Sequence, residues 1–232
     1  MRIRGAFVGG MVVAVAIASL AAAAPVDVPN GDFEAGNMSK WKRLEPGGGH
    51  WSVYDEEKEP PKPRGLIGFG FPPPPQGTYA AGVRQGGPGL NILHRVLKLK
   101  RDKVNKIKFE LFYANTANRF FSPNHFRFGG GGMVPVRYRG GGGGPGNQQL
   151  RIDIMKPKAK IKSLKDEDVL ANLLRTRPGD RKRRQLAPFK ANLTKLGVDR
   201  KRVRLRIAEV DNRGNITVAV DNLTHDVSQP RR

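Results

Sequence analysis

"VRLRIAEVDNRGNITVAVDNLTHDV", residues 203–227, contains two runs of alternating apolar and polar residues with one turn signal between them. Alternation at period 2 marks a strand with one face buried and the other in water. In the first run Val203, Leu205 and Ile207 point inward and leave Arg202, Arg204 and Arg206 outward. In the second, Ile216, Val218 and Val220 line the same core. "DNRGN" supplies the turn, where Gly214 is free to adopt positive φ. The stretch predicts a closing antiparallel hairpin, dry on one side and wet on the other.

The same period recurs upstream. "KIKFELFYA" sets Ile107, Phe109, Leu111 and Tyr113 against Lys106, Lys108 and Glu110, and "QQLRIDIM" turns Leu150, Ile152 and Ile154 inward. "HWSVYDEE", "TYAAGVRQ" and "LNILHRVLKLK" read as further strands, with Phe33 and Trp41 as core anchors near the start. "EEKEPPKPRG" and "GFGFPPPPQG" are Pro/Gly punctuation that a sheet interior excludes, and predict an exposed loop with polyproline character. "KDEDVLANLLRT", residues 165–176, carries Val169, Leu170, Leu173 and Leu174 at helical spacing behind an acidic start, which predicts one short helix. Glycine runs gain no packing energy to offset their entropy, so residues 129–146 read as a flexible insertion. The expected fold class is all-β: an antiparallel β-sandwich with one short helix and a glycine-rich insertion.

Composition bounds the rest. The 232 residues suffice for a single sandwich domain, expected over 24–232. Residues 1–23 have a positive start, an apolar middle and a small-residue end, the pattern of a secretory signal peptide cut after Ala23. Export from a bacterium into the extracellular space is therefore expected, with no membrane span in the mature chain. There is no cysteine, which excludes thiol catalysis, iron–sulfur clusters and a disulfide scaffold. A net charge of +22 recruits anionic polymers in a salt-dependent way, or else serves solubility.

"NGDFEAGNMSKWK" near the start and the closing stretch quoted above together resemble the galactose-binding-domain-like jelly-roll family, which includes many carbohydrate-binding modules. "RQGGPGLNILHRVLKL", "NQQLRIDIM" and "LLRTRPGD" resemble the body of an exported bacterial subfamily of it. The resemblance spans residues 26–227 apart from the glycine insertion. It implies a jelly roll whose first and last strands lie side by side, often joined by a structural calcium ion. Carried over position by position, it nominates Glu34 and Asp221 as ligands, with Asp32 contributing, and calcium prefers such hard oxygens. The alternative is that Asp221 caps a strand end and Glu34 makes a surface ion pair.

Signals for catalysis are missing. Asp55, Glu56, Glu57 and Glu59 sit together in the Pro-rich stretch rather than as a separated acid and base, and four histidines lack metal spacing. No nucleophile elbow or P-loop appears, so the chain is expected not to be an enzyme. Arg119, Phe121, Phe126 and Arg127, in "NRFFSPNHFRFGG", interleave guanidinium and aromatic groups suited to stacking on a sugar ring or base, although part of that patch must be core. Arg175, Arg177, Arg181, Lys182, Arg183 and Arg184 form a basic loop able to hold a polyanion, or simply a solvated one. The expected function is a secreted, non-catalytic module binding carbohydrate or an anionic cell-surface polymer. A structural envelope protein and an extracellular nucleic-acid binder are the alternatives.

Overall fold

The computed structural model describes residues 24–26, 28–46, 49–61, 70–86, 89–115, 120, 148–177, 179–181, 185–211 and 215–230. Residues 1–23 and the insertion at 129–146 lie outside them. The described strands are β1 (Ala24–Val26), β2 (Lys42–Leu44), β3 (Ser52–Tyr54), β4 (Ala80–Gly86), β5 (Gly89–Lys98) and β6 (Val104–Asn115). They continue with β7 (Gln148–Met155), β8 (Val169–Arg175), β9 (Ala187–Asn192), β10 (Arg202–Asp211) and β11 (Asn215–Ser228). One sheet runs β3-β4-β11-β6-β9, with β1 also on β11; the other runs β2-β5-β10-β7-β8. Every pairing is antiparallel. The all-β sandwich expected from the alternation is the observed architecture, and β1 lies against the last strand, Ala24 opposite Val227.

The closing stretch is not a hairpin. β10 pairs with β5 and β7 while β11 pairs with β4 and β6, so the chain crosses from one sheet to the other between Asp211 and Asn215. A hairpin and an arch impose the same alternation. In either case Val203, Leu205 and Ile207 meet the core that Ile216, Val218 and Val220 meet, here from opposite sides. Period 2 reports which face is buried and is blind to the partner strand.

The expected helix at 165–176 is also a strand. β8 pairs with β7 through Arg175–Arg151, Leu174–Ile152, Asn172–Asp153, Ala171–Ile154 and Val169–Met155, with two register shifts. Each shift offsets the alternation by one residue. Leu170, Ala171, Leu173 and Leu174 consequently all pack on the core at a spacing that imitates a helical face.

Phe33 and Trp41 are core anchors, their rings stacked with centroids 5.3 Å apart. The Pro-rich connection is held down rather than fully solvated. Phe71 lies on the outer face of the first sheet beside Tyr54 and Phe112, with the Arg84 guanidinium 4.7 Å from its ring centroid. A Cβ on Gly82 would come within 2.4 Å of the Phe71 ring, so glycine leaves the space that this ring fills.

Arg206 departs furthest from expectation. Predicted to face water, it is fully buried and paired with the equally buried Asp153 at 2.6 Å. The segment 156–164 covers the outer face of the second sheet, with Ile161 and Leu164 packed against Leu90, Ile92, Ala208 and Val210. An outward position on a strand becomes interior once a loop lies over it.

Candidate functional site

The three nominated metal ligands lie at the junction of the chain's two ends. Gly31 accepts a hydrogen bond from the Leu223 amide at 2.8 Å, and a Cβ on Gly31 would strike the Leu223 carbonyl at 2.3 Å. Asp221 stands just before the irregularity in β11 between Asp221 and Thr224, opposite Glu110. Its side chain is buried; Oδ1 accepts from the Asn222 amide at 2.7 Å, and Oδ2 has no hydrogen-bond partner among the described residues. Burial raises its pKa, the Asn222 N–H opposes this, and the negative charges of Glu34, Asp32 and Glu110 add to the rise, to about 8.

Glu34 is tied to the backbone ahead of β4. Its Oε1 accepts from the Thr78 and Tyr79 amides at 3.0 and 2.9 Å, and its Oε2 from Thr78 at 3.1 Å. Gly77, at φ +66°, lies so close that any Cβ there would meet the carboxylate. Asp32 accepts from the Glu34 amide at 3.3 Å. The donor set suits a hard cation in one respect, an orphaned buried oxygen on Asp221. Among the described residues, however, no three His, Asp or Glu side chains converge as a ligand set.

Of the proposed glycan patch, Arg119, Phe121, Phe126 and Arg127 lie outside the described residues. Their neighbour Phe120 is buried edge-on against Tyr113, centroids 5.5 Å apart, so this part of the patch is core. In the basic loop Arg175, Arg177 and Arg181 are exposed, around a turn in which the Arg177 amide donates to Asp180. Lys182, Arg183 and Arg184 lie outside the described residues.

The tertiary structure assembles a second basic region from two loops. The β5–β6 loop and the β9–β10 turn are joined by backbone bonds from Leu99 to Lys201 and from Leu193 to Asn105, both 2.9 Å. Between them lies a depression of about 280 Å³ whose lining includes the four cations of Lys100, Arg101, Lys103 and Arg200 and the two carboxylates of Asp102 and Asp199. Buried Asn105 organises it: its Oδ1 accepts from the Lys100 amide, and its Nδ2 donates to the Lys100 and Lys103 carbonyls at 2.8 and 3.0 Å. His225 Nε2 lies 2.9 Å from the same Oδ1. β7 ends at Met155, opposite Arg204 near the start of β10, so the lysine-rich connection 156–168 leaves from this end too. On the adjoining outer face burial first, then Arg204 and Lys42, hold the His94 pKa down to about 4. That imidazole is neutral at physiological pH, as expected in a cationic field.

The opposite end of the sandwich interior closes with amides and a carboxyl. Asn91 donates to Gln85 and, at 3.3 Å, to Glu209, while Asn115 donates to Gln148 at 2.6 Å; all five side chains are buried. Among the acids weighed for catalysis, Glu59 binds Arg84 at 3.1 Å and the Phe71 amide at 3.0 Å, and Asp55 closes its own turn through the Glu57 and Lys58 amides. Both hold the Pro-rich connection in place.

No protein-family model and no curated protein matches the chain. Solved structures similar to it include TmCBM61 in complex with β-1,4-galactotriose, 10% identical over 88% of this chain and 97% of that one, TM-score 0.48. The CBM22-1 xylan-binding domain of Xyn10C from Paenibacillus barcinonensis is 9% identical over 87% and 94%, TM-score 0.43. A cyclase from Fischerella sp. TAU is 15% identical over 90% and 100%, TM-score 0.44. Likeness this distant says nothing about ligand.

Proposed function

We propose that the protein is an exported, non-catalytic module that binds carbohydrate bearing negative charge, or another anionic cell-surface polymer. One observation carries this reading: Lys100, Arg101, Lys103 and Arg200 are gathered around a single depression on loops locked together by backbone bonds. The bonded backbones keep these cations near one another, and their summed field attracts a polyanion before contact. The residues that hold the depression, Asn105 and Thr194, are polar and satisfied, as support for a binding surface requires.

A glycan array at two salt concentrations tests the reading. A module that recognises an acidic glycan retains a preferred sugar at the higher salt, through hydrogen bonds, while losing part of its affinity. A purely electrostatic binder loses all anionic ligands steeply and without preference. Absence of any bound glycan at either salt rejects the proposal, and fractionation with the envelope alone would indicate a structural protein.

We also propose that a calcium ion joins the two ends of the chain, held by Glu34 and Asp221 with Asp32 contributing. The support is the orphaned Oδ2 of Asp221 at a junction otherwise closed by backbone bonds. Such an ion would neutralise carboxylates that otherwise repel one another, a structural role.

A further inference from the structure

"KPKAKIKS", residues 156–163, is a pair of consecutive turns of the same make. The Ala159 amide donates to the Lys156 carbonyl at 3.2 Å, and the Ser163 amide to the Lys160 carbonyl at 2.9 Å. Each turn is pinned to the sheet by one arginine of β10. Arg204 donates to the Pro157 and Ala159 carbonyls; Arg206 donates to those of Ile161 and Ser163 at 2.6 and 2.7 Å. Arg204 and Arg206 are two residues apart on one face of a strand, so the two turns repeat with a step on the order of 7 Å. The deeper arginine is fixed in turn by buried Asp153, which also takes Arg151.

With the carbonyls of 157, 159, 161 and 163 turned onto the sheet, the even positions carry lysine. Lys158 and Lys160 are exposed, and neither pairs with an acid among the described residues, whereas Lys165 pairs with Glu167 at 3.3 Å. A surface lysine is ordinarily a mobile charge whose pairing is worth little. Here its backbone is held by a guanidinium fork, a rigid two-pronged donor that lysine does not replace.

We propose that this tandem turn is a binding track for a linear acidic polysaccharide, with Lys158 and Lys160 meeting successive carboxylates or sulfates and Arg204 acting as a positioning residue. The inference rests on the reading of the protein as a module for anionic carbohydrate, and names the surface and the form of the ligand. Lys158 is the third residue of the first turn and Lys160 the first of the second, so the two exposed cations stand on either side of the junction between turns. Neighbouring cations on a held backbone fit a ligand with regularly spaced anionic groups. Among the described residues the large exposed apolar side chains are Val96 and Leu196, so no aromatic platform accompanies the lysines as base stacking requires.

The test compares the intact protein with two variants, Lys158→Gln/Lys160→Gln and Arg204→Lys, on polygalacturonate, on single-stranded DNA of matched charge and on neutral dextran. The double variant is expected to lose about tenfold in affinity for polygalacturonate at low salt, with the salt dependence shallower by one to two ions, on the order expected for two lost contacts. Arg204→Lys keeps the charge and all track lysines, so a several-fold loss of affinity with an unchanged salt slope identifies positioning. Thermal unfolding of each variant checks that the fold persists. A control on the other sheet, Lys106→Gln/Lys190→Gln, which removes the same charge from exposed positions of β6 and β9, is expected to bind like the parent. The proposal is overturned if that control loses binding while the lysine variant does not, if DNA binds as tightly as polygalacturonate, or if the parent protein ignores polygalacturonate. In the first and last of these, a sugar retained on the glycan array leaves the broader reading standing. No bound glycan of any kind removes both.

Discussion

Asp153 and Asp221 lie on strands paired on both sides in opposite sheets, and both are buried. Asp153 is gripped by Arg206 and Arg151. Among the described residues Asp221 has one amide on Oδ1, nothing on Oδ2, and Glu34, Asp32 and Glu110 as charged neighbours. Burial alone would raise the Asp153 pKa, but its arginines outweigh that and hold it below the usual carboxylate value; Asp221 moves the other way, to about 8. A protein of net charge +22 therefore contains an acid starved of positive partners. Net charge acts over long distances and is screened, whereas ionisation of a buried group is decided by what touches it.

The largest effect that tests this contrast is expected from Asp153→Ala. It strands Arg206 as a buried unpaired cation and should cost about 3–5 kcal/mol in urea unfolding at pH 7. Replacing the pair together, Asp153→Leu with Arg206→Met, should restore much of the loss; if it does not, the arginine's hold on the tandem turn matters more than the ion pair. Asp221→Asn should act in the opposite sense, stabilising the protein at pH 8 in metal-free buffer. A loss of stability there would mean that the ionised carboxylate has a partner and would break the comparison.

Opposite pH limbs follow. Asp153, depressed in the fold, contributes stability above the unfolded carboxylate pKa of about 3.9, and that contribution is lost as pH falls through its lower folded value. Asp221, raised in the fold, contributes fully below about 3.9 and loses its contribution as pH rises through about 8. Unfolding free energies from pH 3 to pH 9 should show Asp221→Asn removing a decline between those values. An unchanged profile would contradict the assignment. The smallest expected effect is that of chelation: with calcium several-fold above its dissociation constant the parent gains about 1 kcal/mol, reversed by chelator and absent in Asp221→Asn. Equal melting midpoints with and without chelator would remove the proposed ion.

The candidate sites were unevenly legible. Asp221 and its neighbours were nominated because the two end motifs resemble a family in which such ends meet, and the structure does bring them together. Glu34 was read for its charge, yet it holds the amides of residues 78 and 79, a partnership 44 and 45 residues away that no local pattern signals. The basic depression has no local signature, because Arg200 lies far along the chain from Lys100, Arg101 and Lys103. The tandem turn was missed differently: its lysines alternate plainly in "KPKAKIKS", but a run of lysines is uninformative until something rigid is seen to hold it.

The sequence by itself determined that the chain forms strands, which side chains face the core, and that the surface is strongly basic. Those properties follow from alternation and composition, which are local or additive. Tertiary structure alone decided that the last two strands belong to different sheets, that two bulges turn an apparent helix into an edge strand, and that Arg206 is buried. Each of these depends on which distant segment lies alongside, and a period of two carries no record of that neighbour.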